Sequence, residues 1–263
     1  MEGGRTLQIR EMLGLHNLLS CRKILCIQPH PDDNEIGAAG TILEWGKRGA
    51  EIAYVTVTDG RAGAFGSDVD PVEMVQQRHE EKQLAGNMIG ITQHYDLGFP
   101  DSGCYREEDV TKQLVGLFRE YRPELVLTVD PWSPYEAHPD HLKTGRAVAK
   151  ALLFCNNVIV YPRSSELPSA APVDVPQVAF YATSYPNTFV DITSNWQRKL
   201  DAIMAHKSQF DNADWPQLSA YFEYSAQEFY RQLKHDETAD GFAEAFKVLS
   251  TRQLHFFPTA IFN

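Results

Sequence analysis

Positive charge is what this 263-residue chain has least of: 24 Lys and Arg stand against 35 Asp and Glu, a formal net charge of −11. Phosphate backbones are bound by clustered Lys and Arg, so the balance argues against a nucleic-acid partner. Cysteine is scarce as well. Cys21, Cys26, Cys104 and Cys155 form no CxxC pair and none adjoins a candidate His ligand. They fit reduced, mostly buried thiols and exclude a disulfide framework. Long apolar runs are missing: nothing approaches the roughly 18 residues that a membrane span needs. The first twenty residues carry Glu2, Arg5, Arg10 and Glu11 and lack the apolar centre of a secretory signal. These absences point to a cytoplasmic protein with no membrane partner. Internal repeats and low-complexity tracts are missing too, and residues 162–176, rich in Pro and Ser, read as a surface excursion.

What is present suits one α/β domain. A hydrophobic content of 43% and a charged content of 22% are ordinary for a globular chain of this length. Short runs rich in β-branched residues, at 23–28, 51–58, 124–130 and 157–161, read as strands covered on both faces. Helical segments lie between them. The one at 71–90 has Asp70 placed to cap, Pro71 at the first helical position and Gly90 to end it. Such alternation predicts a Rossmann-like, doubly wound, mainly parallel sheet over about 20–160. The region at about 177–263 is expected to add two strands ("VAFYATS", "NTFVDIT") and helices that complete the pocket and form an interface within the same domain. Its aromatics read first as core or subunit contact.

In doubly wound sheets, ligands bind outside the carboxyl ends of the strands. Four successive loops there are dense in His, Asp and Gly: "PHPDDNE", "DGRAGAFG", "GFPDSG" and "PWSPYEAHPDH". Two share a plan, His30-Pro31-Asp32-Asp33 and His138-Pro139-Asp140-His141. In each, the first and fourth residues are three apart, so both can point the same way from a strand end into a first helical turn. Imidazole nitrogen and carboxylate oxygen suit a borderline ion such as Zn²⁺, and three protein ligands plus water make a catalytic zinc site. One such motif is as readily a capped helix start. Two at strand ends on one sheet edge favour a site.

Other features have plainer readings beside sharper ones. Met74, Arg78, Glu81, Ala85 and Met88 fall on one helical face, which puts two charges on an apolar stripe. They form either a buried ion pair with each other or leave Arg78 to hold a substrate hydroxyl or Asp101 at the pocket rim. Gly60, Gly63 and Gly66 do not have phosphate-loop spacing. The small residues from Gly37 to Gly40 read as close packing of the first helix on the sheet. Trp132 and Tyr135 either stack on a sugar ring or close their loop.

"PHPDDNEIGAAGTI", "VTDGRAG", "RHEEKQLAGNMIG", "LGFPDSG" and "DPWSPYEAHPDH", in that order, resemble the LmbE/PIG-L superfamily of zinc-dependent N-acetylglucosamine deacetylases. "DPWSPYEAHPDH" and "VDITSNWQRKLDAIMAHKSQF" are similar in particular to the N,N′-diacetylchitobiose deacetylase branch. The resemblance implies one Zn²⁺ held by His30, Asp33 and His141, with Asp32 as general base. It implies that His138 stabilises the tetrahedral intermediate and protonates the leaving amine, that Asp140 orients His138, and that Arg78 and Asp101 contact or organise the sugar. Glu35 fits the family pattern without a catalytic role. The implied activity is removal of acetyl from an N-acetylglucosamine-containing small sugar by a homo-oligomer, a trimer or hexamer in the family. An amidase of a glucosaminyl-thiol conjugate is the nearest alternative. A divalent-metal glycosyltransferase fits less well, because such sites prefer oxygen ligands throughout. A non-catalytic sugar-binding protein would normally show a damaged site.

Overall fold

The computed structural model describes residues 12–63, 69–162 and 171–256. Gly66, most of the expected 162–176 excursion and the first eleven residues lie outside that set. A seven-stranded sheet runs in the order β3-β2-β1-β4-β5-β7-β6. Its strands are β1 (Lys23–Gln28), β2 (Glu51–Thr58), β3 (Gln93–Phe99), β4 (Leu125–Val129), β5 (Gln177–Tyr181), β6 (Thr188–Asp191) and β7 (Ala243–Ser250). The first five pair in parallel, and β7 pairs antiparallel with both β5 and β6. Helices α1 (Asp33–Lys47), α2 (Pro71–Met88), α3 (Glu107–Tyr121) and α4 (Pro139–Phe154) make the crossovers. Helices α5 (Trp196–Met204), α6 (Lys207–Phe210) and α7 (Trp215–Lys234) lie between β6 and β7.

Alternation along β1 builds two cores. Leu25 and Ile27 join Val115 and Phe118 of α3 and Val148 of α4 on one face. Ile24 and Cys26 join Ala38, Ala39 and Ile42 of α1 and Ile192 on the other. Strands β1, β2, β4 and β5 therefore bury both faces, as their near-continuous apolar sequences require, whereas the edge strand β3 has no buried residue. Helix α2 starts as expected: the Asp70 side chain accepts from Val72 N–H at 2.8 Å, with Pro71 next.

The structure corrects one strand and adds another. Residues 157–161 are not a strand. The Asn157 side chain accepts the N–H groups of Ile159 and Val160, at 2.9 and 3.1 Å, and this local turn leaves Ile159 89% exposed. The sheet position beside β4 belongs to β5 instead. Strand β7 was not expected, because Glu244 and Lys247 interrupt its apolar pattern, yet all eight of its residues are buried.

Candidate active site

The loops after β1, β2, β3 and β4 meet at one edge and are tied together by hydrogen bonds. Asp101 N–H donates to Asp59 at 3.2 Å, Ala62 N–H to Asp101 at 3.1 Å, and Ser102 N–H to Asp140 at 2.7 Å. Both HPD motifs stand here. Proline at the first helical turn suits α4, where His138 is the cap residue and its Nδ1 accepts Asp140 N–H at 3.3 Å. That bond leaves Nε2 as the nitrogen of His138 able to carry a proton toward the site. Asp32, just before α1, holds φ at 137°, a backbone conformation that a non-glycine residue adopts only under tertiary constraint.

Asp33 joins the two motifs. Its Oδ2 lies 3.2 Å from His30 Nδ1 and its Oδ1 lies 3.4 Å from His141 Nε2. Each separation is close to the edge of a tetrahedral site with ~2.0 Å bonds, about 3.3 Å, and the two histidines meet different oxygens of Asp33. Ligand atoms of His30, His138 and His141 also fall within 4.8 Å of one another, as do those of His30, Asp101, His138 and Asp140. The charge pattern fits a cation as well. Burial opposes protonation of His30, yet Asp101, Asp140 and Asp33 around it drive its pKa strongly upward. Without a cation, a proton must balance this carboxylate-rich pocket. Asp33 is held well below the usual carboxylate range: burial works against its charge, and His141 and His30 outweigh it.

Asp32 faces a different environment. Its Oδ2 accepts from Arg78 Nη2 at 2.9 Å, and Arg78 also donates to the carbonyls of Pro31 and Gly60. Burial pushes the Asp32 carboxyl up to about 6, against the pull of Arg78. Two adjacent aspartates are thus driven in opposite directions by their surroundings. Arg78, only 3% exposed, lies beneath Asp32 rather than at a rim. It does not pair with Glu81, which instead accepts from Ser208 N–H and Oγ and ties α2 to α6.

Asp140 is fully buried, accepts from Tyr105 Oη at 2.8 Å, and approaches His30 Nε2 at 3.4 Å. Asp101 Oδ1 stands 3.3 Å from the same nitrogen. Their side chains therefore orient His30, while His138 meets Asp140 through the backbone. Burial, His30 and His141 lower the pKa of His138. Trp132 is half exposed and packs edge-on against Phe180, and Tyr135 is 96% exposed.

Sequence reasoning missed Glu136. Its Oε2 lies 2.8 Å from His141 Nδ1 and its Oε1 accepts His138 N–H at 2.7 Å, so one carboxylate fixes both histidines. A lone acid two residues before HPDH was the available signal. It also missed His206, buried 3.4 Å from Glu35 behind Asp32. A cavity of about 520 Å³ opens from Asp33, Glu136 and His141 toward Trp196, Phe222 and Phe229.

A doubly wound sheet with a histidine–carboxylate cluster at its carboxyl edge defines a metal-assisted hydrolase architecture. The family described as PIG-L, GlcNAc-PI de-N-acetylase, matches residues 25–152. The diacetylchitobiose deacetylase of Thermococcus kodakarensis is 34% identical over 91% of this chain and 87% of its own length. The solved N,N′-diacetylchitobiose deacetylase of Pyrococcus horikoshii superposes with a TM-score of 0.87 at 29% identity, covering 98% of each chain. A 1D-myo-inositol 2-acetamido-2-deoxy-alpha-D-glucopyranoside deacetylase of Kineococcus radiotolerans is 28% identical over 57% of this chain and 50% of its own. The chain belongs to the PIG-L/LmbE family of deacetylases.

Proposed function

We propose that the protein is a zinc-dependent hydrolase that removes the acetyl group from the 2-acetamido position of a small N-acetylglucosamine-containing sugar. The products are acetate and a glucosamine unit. One observation carries this reading: a buried, uncommitted carboxylate, Asp32, is aimed by Arg78 beside a His30–Asp33–His141 cluster, with His138 across from it. His30, Asp33 and His141 would hold Zn²⁺, which supplies a more acidic water and polarises the amide carbonyl. Asp32 takes the proton of the attacking water. Arg78, 2.9 Å away, favours the ionised form of Asp32 for that task. His138 donates a hydrogen bond from Nε2 to the developing oxyanion. The C–N bond breaks only as nitrogen gains a proton, and the newly protonated Asp32 stands on the reacting side to return it. Asp101 and Asp140 hold His30, and Glu136 holds His141, so the reacting geometry is fixed before substrate arrives. The sugar itself is read as lying against Trp132 and Tyr135, with Arg78 and Asp101 organising its site through Asp32 and His30.

The chain is read as a single cytoplasmic domain that assembles into a trimer or hexamer. No helix among the described residues is long and apolar enough to cross a membrane. The deciding experiment is acetate release from N-acetylglucosamine, diacetylchitobiose and an acetylated glucosaminyl-thiol precursor, with zinc and with chelator. Zinc-dependent acetate from the first two, fastest for one, is the expected result. Acetate from the thiol precursor alone moves the substrate to the conjugate class. No acetate from any member, with zinc bound, overturns the reading.

A further inference from the structure

Helix α1 begins at Asp33, directly after Asp32, so its placement sets where the base and the metal-facing carboxylate stand. The C-terminal segment grips this helix by its backbone. Glu244 of β7 accepts the N–H groups of Gly40 and Thr41, at 3.0 and 2.7 Å. Lys199 of α5 donates to the Ile36 carbonyl at 2.7 Å, the group that Gly40 N–H meets in an undisturbed i→i−4 ladder. Lys199 and Glu244 are joined to each other at 2.6 Å and are 5% and 4% exposed. Asn195, just before α5, adds bonds to the Gly40 carbonyl and to Glu44, at 3.0 and 2.9 Å. An ion pair is thereby wedged into the second turn of the helix that presents the catalytic aspartates.

A buried pair of this kind is a weak stabiliser, because desolvation offsets its attraction and apolar side chains of similar volume often serve as well. What apolar side chains cannot do is hold particular backbone donors and acceptors of a helix in place. We propose that Lys199 and Glu244 are positioning residues. By capturing Ile36 C=O, Gly40 N–H and Thr41 N–H they fix the axial position of α1, and with it the separation of Asp32 and Asp33 from His141. This rests on the reading of Asp33 as a ligand and Asp32 as the base. It also gives β7 a part in the chemistry through its hold on α1.

The test compares wild type with Lys199→Met/Glu244→Met and with Lys199→Arg. Five quantities are read: melting temperature, zinc affinity by competition with a chromogenic chelator, kcat and KM for the fastest acetylated sugar, and amide exchange across residues 33–47. The double variant is expected to fold with a melting temperature near wild type. Its zinc affinity and kcat should each fall about 10-fold or more, the usual scale for losing support behind a ligand. Exchange across 33–47 should quicken. Lys199→Arg keeps the charge and the donors and should stay near wild type. A folded double variant with wild-type zinc affinity and wild-type kcat overturns the proposal. If the double variant does not fold, Glu244→Gln, which keeps one acceptor oxygen without the charge, is judged by the same two quantities. A wild-type protein that releases no acetate sinks the functional reading alone, since zinc affinity and exchange still decide the pair.

Discussion

At the residue scale, the two neighbouring aspartates carry opposite burdens, and their substitutions should separate. Asp32→Asn keeps the shape and the Arg78 contact, so it should bind zinc at one per chain and lose about 10²–10⁴ in kcat, the worth of a general base. Zinc stoichiometry and single-turnover rate check this together, and a near-wild-type rate with zinc bound removes Asp32 from the role. Arg78 acts through Asp32. Its charge lowers the pKa of that carboxylate, so Arg78→Met raises it. A base works ionised, and the acid limb of kcat/KM against pH should therefore move to higher pH. A bound cation lowers both curves alike and leaves the sign of the difference. Glu136→Ala frees the His141 ring and should weaken zinc binding about 10- to 100-fold, read by chelator competition. Asp32, Asp33 and the two HPD motifs were legible because residue type and strand-end position agreed. Glu136 and His206 were not, because one acid or one histidine without a repeated partner looks like any surface loop or core residue until the fold sets it against a ligand.

At the element scale, helix α1 offers a contrast within one run of glycines. A Cβ at Gly40 would stand 2.6 Å from Ile192, and at Gly37 2.5 Å from the Tyr181 ring, whereas at Gly46 nothing lies within 4 Å. Alanine gains about 1 kcal/mol of helix propensity at each. At Gly40 the clash, about 1–3 kcal/mol for overpacking, outweighs it, so Gly40→Ala should lower stability and Gly46→Ala should raise it by up to ~1 kcal/mol. Urea melts of the two variants decide the matter. The close approach that the run of small residues foretold is real, but its partners on β5 and after β6 were beyond sequence reasoning. The same limit explains the strand exchange. A β-branched run at 157–161 looked like a strand, and only the Asn157 side chain turning back on its own backbone prevents it. Elements whose apolar pattern was continuous were found. Strand β7 escaped because the carboxylate that grips α1 and, three residues on, Lys247 interrupt its pattern.

At the scale of the whole molecule, α7 stands out. It runs for twenty residues with Ala226 alone buried, and leaves Tyr221 and Tyr224 65% and 60% exposed. Large exposed aromatics on one element mark a contact surface. If the chain assembles as proposed, wild type should sediment as a closed oligomer, and Tyr221→Glu/Tyr224→Glu should shift the sedimentation coefficient toward that of a monomer. An unchanged profile in both would make this face a free surface.

The order of the strands in the sheet has a consequence for how the molecule comes into being. Strand β7, ending at Ser250, lies between β5 and β6 and closes both. A ribosome delivers the catalytic motifs within the first 141 residues, long before that strand emerges. Until it does, β5 and β6 wait with open edges, and α1 has no Glu244 to hold it. The nascent chain therefore carries both HPD motifs early and becomes competent late, when β7 has left the exit tunnel. A chain released by a premature stop before β7 would hold the full set of motifs and still make no working enzyme.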